Sequence, residues 1–131
     1  IFHEGVEEVV ARHRLIARAV HAAVACWSEG GALQFFGRVP EARSVSVTTV
    51  LVRPGIDPEA IREVARERFQ VAIAGGLGPL AGRVFRIGHL GDMNPAMILG
   101  CLAGVEAALT VQGIPFCSEG VQKAIACLTE G

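Results

Sequence analysis

Only one lysine, Lys123, stands among the twelve basic residues of this chain; the other eleven are arginines. Thirteen acids offset them, so there is no basic excess of the kind that nucleic acid or an anionic membrane surface selects. No uninterrupted apolar run approaches the ~18 residues of a membrane span. There is no C-x-x-C pair: Cys26, Cys101, Cys117 and Cys127 lie far apart, as free thiols of a reducing compartment do, and not as a disulfide frame does. Metal spacing is missing too. His13 and His21 are eight residues apart on one expected helix, with no cysteine or carboxylate to complete a set, so no metal site is expected. The glycines of Gly75-Gly76-Leu77-Gly78-Pro79-Leu80-Ala81-Gly82 fit neither G-x-G-x-x-G nor a Walker A, and no lysine follows them. They read either as a tight connection or as backbone lining the mouth of a cleft.

What is present is apolar. At 131 residues the length suits one domain. An apolar fraction of 51% and a mean hydropathy of +0.45 are high for that size. The excess predicts a face covered by something else, a second domain or a partner subunit. The chain opens Ile-Phe-His-Glu-Gly without an initiator Met or a signal-peptide pattern, in the lead-in to a helix, and a piece of something longer is expected.

Apolar residues from Phe2 to Trp27 recur at three- and four-residue steps, including Val20 and Val24, and predict a helix to about Ser28. Gly30-Gly31 ends it. Leu33 to Phe36 reads as a short strand. Val45 to Val52 alternates as a strand. Asp57-Pro58-Glu59 starts a helix with Ile61, Val64, Ala65 and Phe69 inward. Val71 and Ile73 suggest another strand. Asn94-Pro95 starts a third helix, with Ile98, Cys101, Leu102, Val105 and Leu109 inward and Gly100, Gly104 and Ala107 permitting close packing. Gly113-Ile114-Pro115 breaks it. Ser118 is the expected cap of a last helix, with Val121, Ile125 and Leu128 inward and Lys123 outward. The order α-β-β-α-β-β-α-α predicts an α/β (α+β) two-layer domain: a small, mostly antiparallel sheet with helices on one face. Ser46, Thr48 and Arg86 are expected on the other face.

Between the glycine loop and the third helix lies the stretch around which the rest is arranged, Gly82-Arg83-Val84-Phe85-Arg86-Ile87-Gly88-His89-Leu90-Gly91-Asp92-Met93-Asn94. It reads as strand, turn and helix start. Period-two alternation puts Phe85 and Ile87 on one face and Val84 and Arg86 on the other. A guanidinium in an apolar strand needs a partner. Arg86 either pairs with an acid of its own chain or faces a cleft and takes an anion.

Joined to the preceding glycine loop and to Leu99-Gly100-Cys101-Leu102-Ala103-Gly104-Val105-Glu106, this stretch resembles the C-terminal domain of the class V (fold type I) aminotransferases that act on glyoxylate. The likeness reaches back through Ala11-Arg12-His13-Arg14 and forward through Gly120-Val121. It implies a homodimeric, pyridoxal-phosphate-dependent enzyme moving an amino group from serine or alanine, or ureidoglycine, to glyoxylate. It also implies that Arg86 is the substrate-binding residue, holding the α-carboxylate through two parallel hydrogen bonds. The family's larger N-terminal domain, which carries the cofactor-bearing lysine, is outside this chain. Lys123 matches no such motif, so no cofactor is expected on this chain alone, and none of its residues is assigned a catalytic role. His89 and Asp92 would lie near the cleft mouth, where turn hydrogen bonding explains them equally well. The cysteines match no desulfurase motif. The ending Thr129-Glu130-Gly131 is not a Ser-Lys-Leu signal, which leaves a bacterial cytoplasm as the expected location. The competing reading is a stand-alone α/β module for dimerisation or regulation, without catalysis.

Overall fold

A computed structural model describes residues 2–35, 47–76, 78–88 and 94–130. Helix α1 (Phe2–Trp27) is followed by strands β1 (Leu33–Phe35) and β2 (Val47–Val52), and then by helix α2 (Pro58–Phe69). Strands β3 (Ala74–Gly75) and β4 (Val84–Gly88) come next, and helices α3 (Pro95–Val111) and α4 (Gly120–Glu130) finish the chain. This is the element order expected from periodicity.

Two helix starts follow from their capping residues. Asp57 Oδ1 accepts the Glu59 N–H at 2.9 Å, with Pro58 at the first helical position. Asn94 Oδ1 accepts the Met97 N–H at 2.8 Å, ahead of Pro95. Each side chain satisfies one backbone donor that the helix itself leaves without a partner. The last helix starts differently. It begins at Gly120 and not beside Ser118, and its Val121 N–H donates to Glu106 Oε2 at 3.0 Å. The same oxygen accepts Trp27 Nε1–H at 2.8 Å. One carboxylate on α3 therefore ties the end of α1 to the start of α4, a contact no local pattern announces.

The strands form one antiparallel sheet in the order β1-β2-β4-β3. Val50 opposes Phe85 and Thr48 opposes Ile87, on the face that the helices cover. Thr49 opposes Arg86 and Leu51 opposes Val84, on the other face. The expected pleat of β2 is thus corrected by one residue: Thr48 is buried under the helices, and Thr49 is the neighbour of Arg86. A strand with valine and threonine on both sides carries no clear phase of its own, so pairing sets it. Ser46 lies outside the described residues.

A second correction concerns the strand expected at Val71 and Ile73. Gln70 ends α2 in the left-handed region, and Val71 N–H bonds back to Ala65 O at 3.0 Å. The chain is still leaving the helix at Val71, while the Ile73 carbonyl is taken by Arg62 Nε at 2.9 Å. Pairing with β4 begins only at Ala74.

Residues of α1, α2, α3 and α4 and the inner sheet face share one core, in which Trp27, Phe85, Ile61 and Leu102 are fully buried. On α4 the inward residue is Ala124, not Ile125, which is 43% exposed; Val121 and Leu128 are half-buried. On α3, Cys101 is half-buried while Ala108 is fully buried beside Leu109. Gly104 is the small residue that matters for packing there. A Cβ on it would overlap the Val71 side chain, whereas one on Gly100 would meet nothing. Among the described residues no helix is long and apolar enough to cross a membrane.

Gly104 sets two effects of known size against each other. Alanine in a helix interior is favoured over glycine by ~1 kcal/mol, but overpacking a filled site costs ~1–3 kcal/mol. Gly104→Ala is expected to destabilise by up to about 2 kcal/mol on balance. In a Val71→Ala background the same change is expected to stabilise. Urea midpoints of the four proteins in this double-mutant cycle test it, and an unchanged sign in the second background sinks the argument.

Candidate functional site

Arg86 occupies the middle of β4, between Thr49 of β2 and Ala74 of β3. Strand alternation fixes its side, because Phe85 and Ile87 must enter the core. Its side chain is half-buried, and its Nε–H donates to the Gly75 carbonyl at 2.7 Å. That bond fixes one edge of a planar group. The two terminal nitrogens remain, and they form the edge that binds a carboxylate in parallel. Among the described residues no acid pairs with Arg86. Of the two alternatives left by the sequence, the internal ion pair is therefore not found among them.

The connection from β3 to β4 explains why this face is partly closed. Val84 lies on the same face as Arg86 yet is fully buried. A Cβ on Gly76 would overlap the Leu80 carbonyl and approach Val84 Cγ2 to 2.7 Å. The backbone of that connection is packed directly over Val84, which only glycine at this position allows. Gly75, Gly76, Ala81 and Gly82, with Ala74, Glu59 and Arg62, line an open hollow of about 500 Å³ that includes Arg86. Both readings of the glycine loop describe it: Ala81 N–H to Gly78 O and Arg83 N–H to Leu80 O make it a tight connection, and its glycines line the hollow.

Two guanidinium groups line the hollow, and their partners separate them. Arg62 donates to the Ile73 carbonyl through Nε and pairs with Glu59 through Nη1. Its charge is answered within α2. Arg86 has a backbone carbonyl and no counter-charge among the described residues. The hollow keeps one positive charge over, on the half-buried side chain best placed to hold an anion.

His89 and Asp92 lie outside the described residues. Lys123 is exposed on α4, in the helix layer, whereas Arg86 faces away from the helices. Pyridoxal phosphate requires a lysine at the substrate site, and the described part of this hollow offers none. The described residues of the hollow therefore do not by themselves make a site for the cofactor's aldehyde. Sequence reasoning missed Glu106 as a junction, and it missed the approach of Cys26 to Cys117, whose Sγ atoms are 2.8 Å apart. Residues 91 positions apart leave no local signal. All four cysteines are free thiols.

No family model matches the chain. The serine–glyoxylate aminotransferase of Arabidopsis thaliana is 43% identical over 115 residues, which is 88% of this chain and 28% of the relative. The L-aspartate–glyoxylate aminotransferase of Paracoccus denitrificans is 42% identical over 115 residues, again 88% of this chain and 28% of the relative. The crystal structure of pyridoxamine–pyruvate aminotransferase from Mesorhizobium loti superposes with a TM-score of 0.87 at 30% identity, covering 98% of this chain and 32% of that one. The chain spans less than a third of the length of each of these proteins, and the shared part is their C-terminal portion. The α+β two-layer architecture matches the same portion of the solved relatives. In sequence and in fold the chain corresponds to the C-terminal domain of the class V aminotransferases, enzymes that depend on pyridoxal phosphate.

Proposed function

We propose that residues 1–131 act as one C-terminal, substrate-binding domain of an aminotransferase that moves the amino group of serine or alanine to glyoxylate. The observation that carries this is Arg86: a half-buried guanidinium on the sheet face opposite Phe85 and Ile87, anchored through Nε and ion-paired to no acid among the described residues. The named relatives differ in amino donor (serine, L-aspartate, pyridoxamine), but their acceptors, glyoxylate and pyruvate, are both α-keto acids. A carboxylate beside a carbonyl is the common element, and a carboxylate is what a planar guanidinium binds best.

In this reading Arg86 does three things. It draws the acid end of the substrate into the hollow by charge. It orients the carboxylate plane through two parallel hydrogen bonds, so that the bond to be broken at the neighbouring carbon has one allowed direction. The Gly75 carbonyl keeps the guanidinium from rotating as it does so. Bound pyridoxal phosphate would supply the electron sink for that carbon. Its lysine and its phosphate-binding groups belong to a larger N-terminal domain, this chain's principal partner. A homodimer in the cytoplasm is the assembly that goes with the proposal. Neither nucleic acid nor membrane enters it. The hollow and its cation are what favour this reading over a dimerisation or regulatory module without catalysis.

In the complete enzyme, Arg86→Ala is expected to lower kcat/KM by ~2–3 kcal/mol, roughly 30–150-fold, the size of a lost charge-assisted hydrogen-bond pair. Steady-state kinetics with serine and glyoxylate measures this, and near-normal efficiency in the variant removes Arg86 from the site. For the chain alone, equilibration with pyridoxal phosphate is expected to give no stoichiometric cofactor absorbance. A borohydride-fixed adduct on Lys123 is the outcome that contradicts this.

A further inference from the structure

We propose that Cys26 and Cys117 are a reversible modification site, a dithiol that a small-molecule disulfide such as oxidised glutathione converts to an internal disulfide. Cys26 is in the last turn of α1, and Cys117 is in the connection between α3 and α4. Their sulfurs lie 2.8 Å apart, so roughly 0.8 Å of closure reaches disulfide bonding distance.

The approach is imposed by packing on both sides of the pair. Next to Cys26, the Trp27 ring is fully buried and its Nε1–H is held by Glu106, which also takes the Val121 N–H. Beyond it, a Cβ on Gly30 would lie 2.6 Å from Phe116 Cα and 2.8 Å from the Pro115 carbonyl. The two backbones touch within four residues of Cys26 and within two of Cys117. The sulfurs are held together whether or not a bond joins them.

A metal is the other use of this geometry, since Glu29 brings a carboxylate oxygen to within 4.8 Å of both sulfurs. Thiolates on one tetrahedral zinc stand about 3.8 Å apart, given Zn–S distances of ~2.3 Å. A structural zinc also takes four protein ligands, and this cluster offers three among the described residues. A disulfide needs no ligand beyond the two sulfurs already side by side.

Exposure sets the order of steps. Cys117 is half-buried and Cys26 is 3% exposed, so the oxidant reaches Cys117 first. The Cys117 sulfur attacks one sulfur of glutathione disulfide, forms a mixed disulfide and releases one glutathione. Cys26 then attacks the Cys117 sulfur, completing the internal bond and releasing the second glutathione. The two thiol protons end on the two glutathiones; the protein loses two electrons and the oxidant gains them. Burial, with the hydrogen bond to Cys117 adding to it, pushes the Cys26 thiol up to about 11, in keeping with its second place in the sequence. Burial also pushes Cys101 up to about 11, and no second sulfur is paired with it among the described residues.

The test uses the complete enzyme in glutathione buffers of graded redox ratio, quenched with acid, alkylated and mapped by peptide mass. A cross-linked Cys26–Cys117 peptide is expected, with Cys101 and Cys127 alkylated and dithiothreitol reversing the change. Because the bond closes a loop of most of the chain, the oxidised protein should melt on the order of 10 °C higher than the reduced one. Cys117→Ser should show no such difference between buffers. Glutathione left on Cys117 with Cys26 still alkylated overturns the proposal. So does protection of both thiols by added zinc that Glu29→Gln abolishes. The result is independent of Arg86 kinetics, so either reading can fail without the other.

Discussion

A charged group in the middle of a sheet must be neutralised, hydrated or supplied with a ligand, and that requirement decides what the helix-free face of this fold can be. The helices bury Phe85 and Ile87, and the pleat then forces Arg86 to the opposite side. One backbone carbonyl cannot compensate a guanidinium. A hydrogen bond to a charged group contributes ~1.5–3 kcal/mol, well short of the cost of taking the charge fully out of water. The half-buried position is the compromise. Water covers part of the group when no ligand is there, and a carboxylate can replace that water with stronger, directed bonds.

The surroundings of Arg86 follow from the same demand. An acid close by would close the site, and the nearby acid Glu59 is instead engaged by Arg62, whose Nε is in turn held by Ile73 O. Glycine at position 76 lets the connecting backbone lie over Val84 without a side chain filling the hollow. Thus the short strand β3, the Arg62–Glu59 pair and the glycine loop have one common result. They roof the apolar part of the face and leave its charge reachable.

Legibility in the sequence divides along the line between local and non-local causes. Asp57-Pro58 and Asn94-Pro95 are complete helix-start signals within four residues, and both helices begin where those signals say. The Val84–Ile87 alternation is likewise local, and it placed Arg86 on its face. What was not legible depends on partners distant in the chain. The phase of β2 is set by pairing with β4, the start of α4 by Glu106 from α3, and the shortness of β3 by Arg62 from α2. Ile125 looks inward by periodicity, yet α4 presents its small residue, Ala124, to the core, because helices packed this closely accept little volume between them.

Glu106 and Arg86 show how one domain divides its polar groups. Glu106 is a half-buried carboxylate that serves the fold: Trp27 and the Val121 N–H converge on one of its oxygens, next to the place where Cys26 meets Cys117. Arg86 is a cation left incomplete on the other side of the sheet. A structural ion pair would have joined charges of these two kinds and satisfied both. Keeping them apart, one held by neutral donors and the other, among the described residues, by a single carbonyl, costs the fold an ion pair and leaves a cation free to take an anion. The arrangement suits the role proposed for this domain, to hold and orient a substrate acid while the bond-breaking groups are supplied from elsewhere.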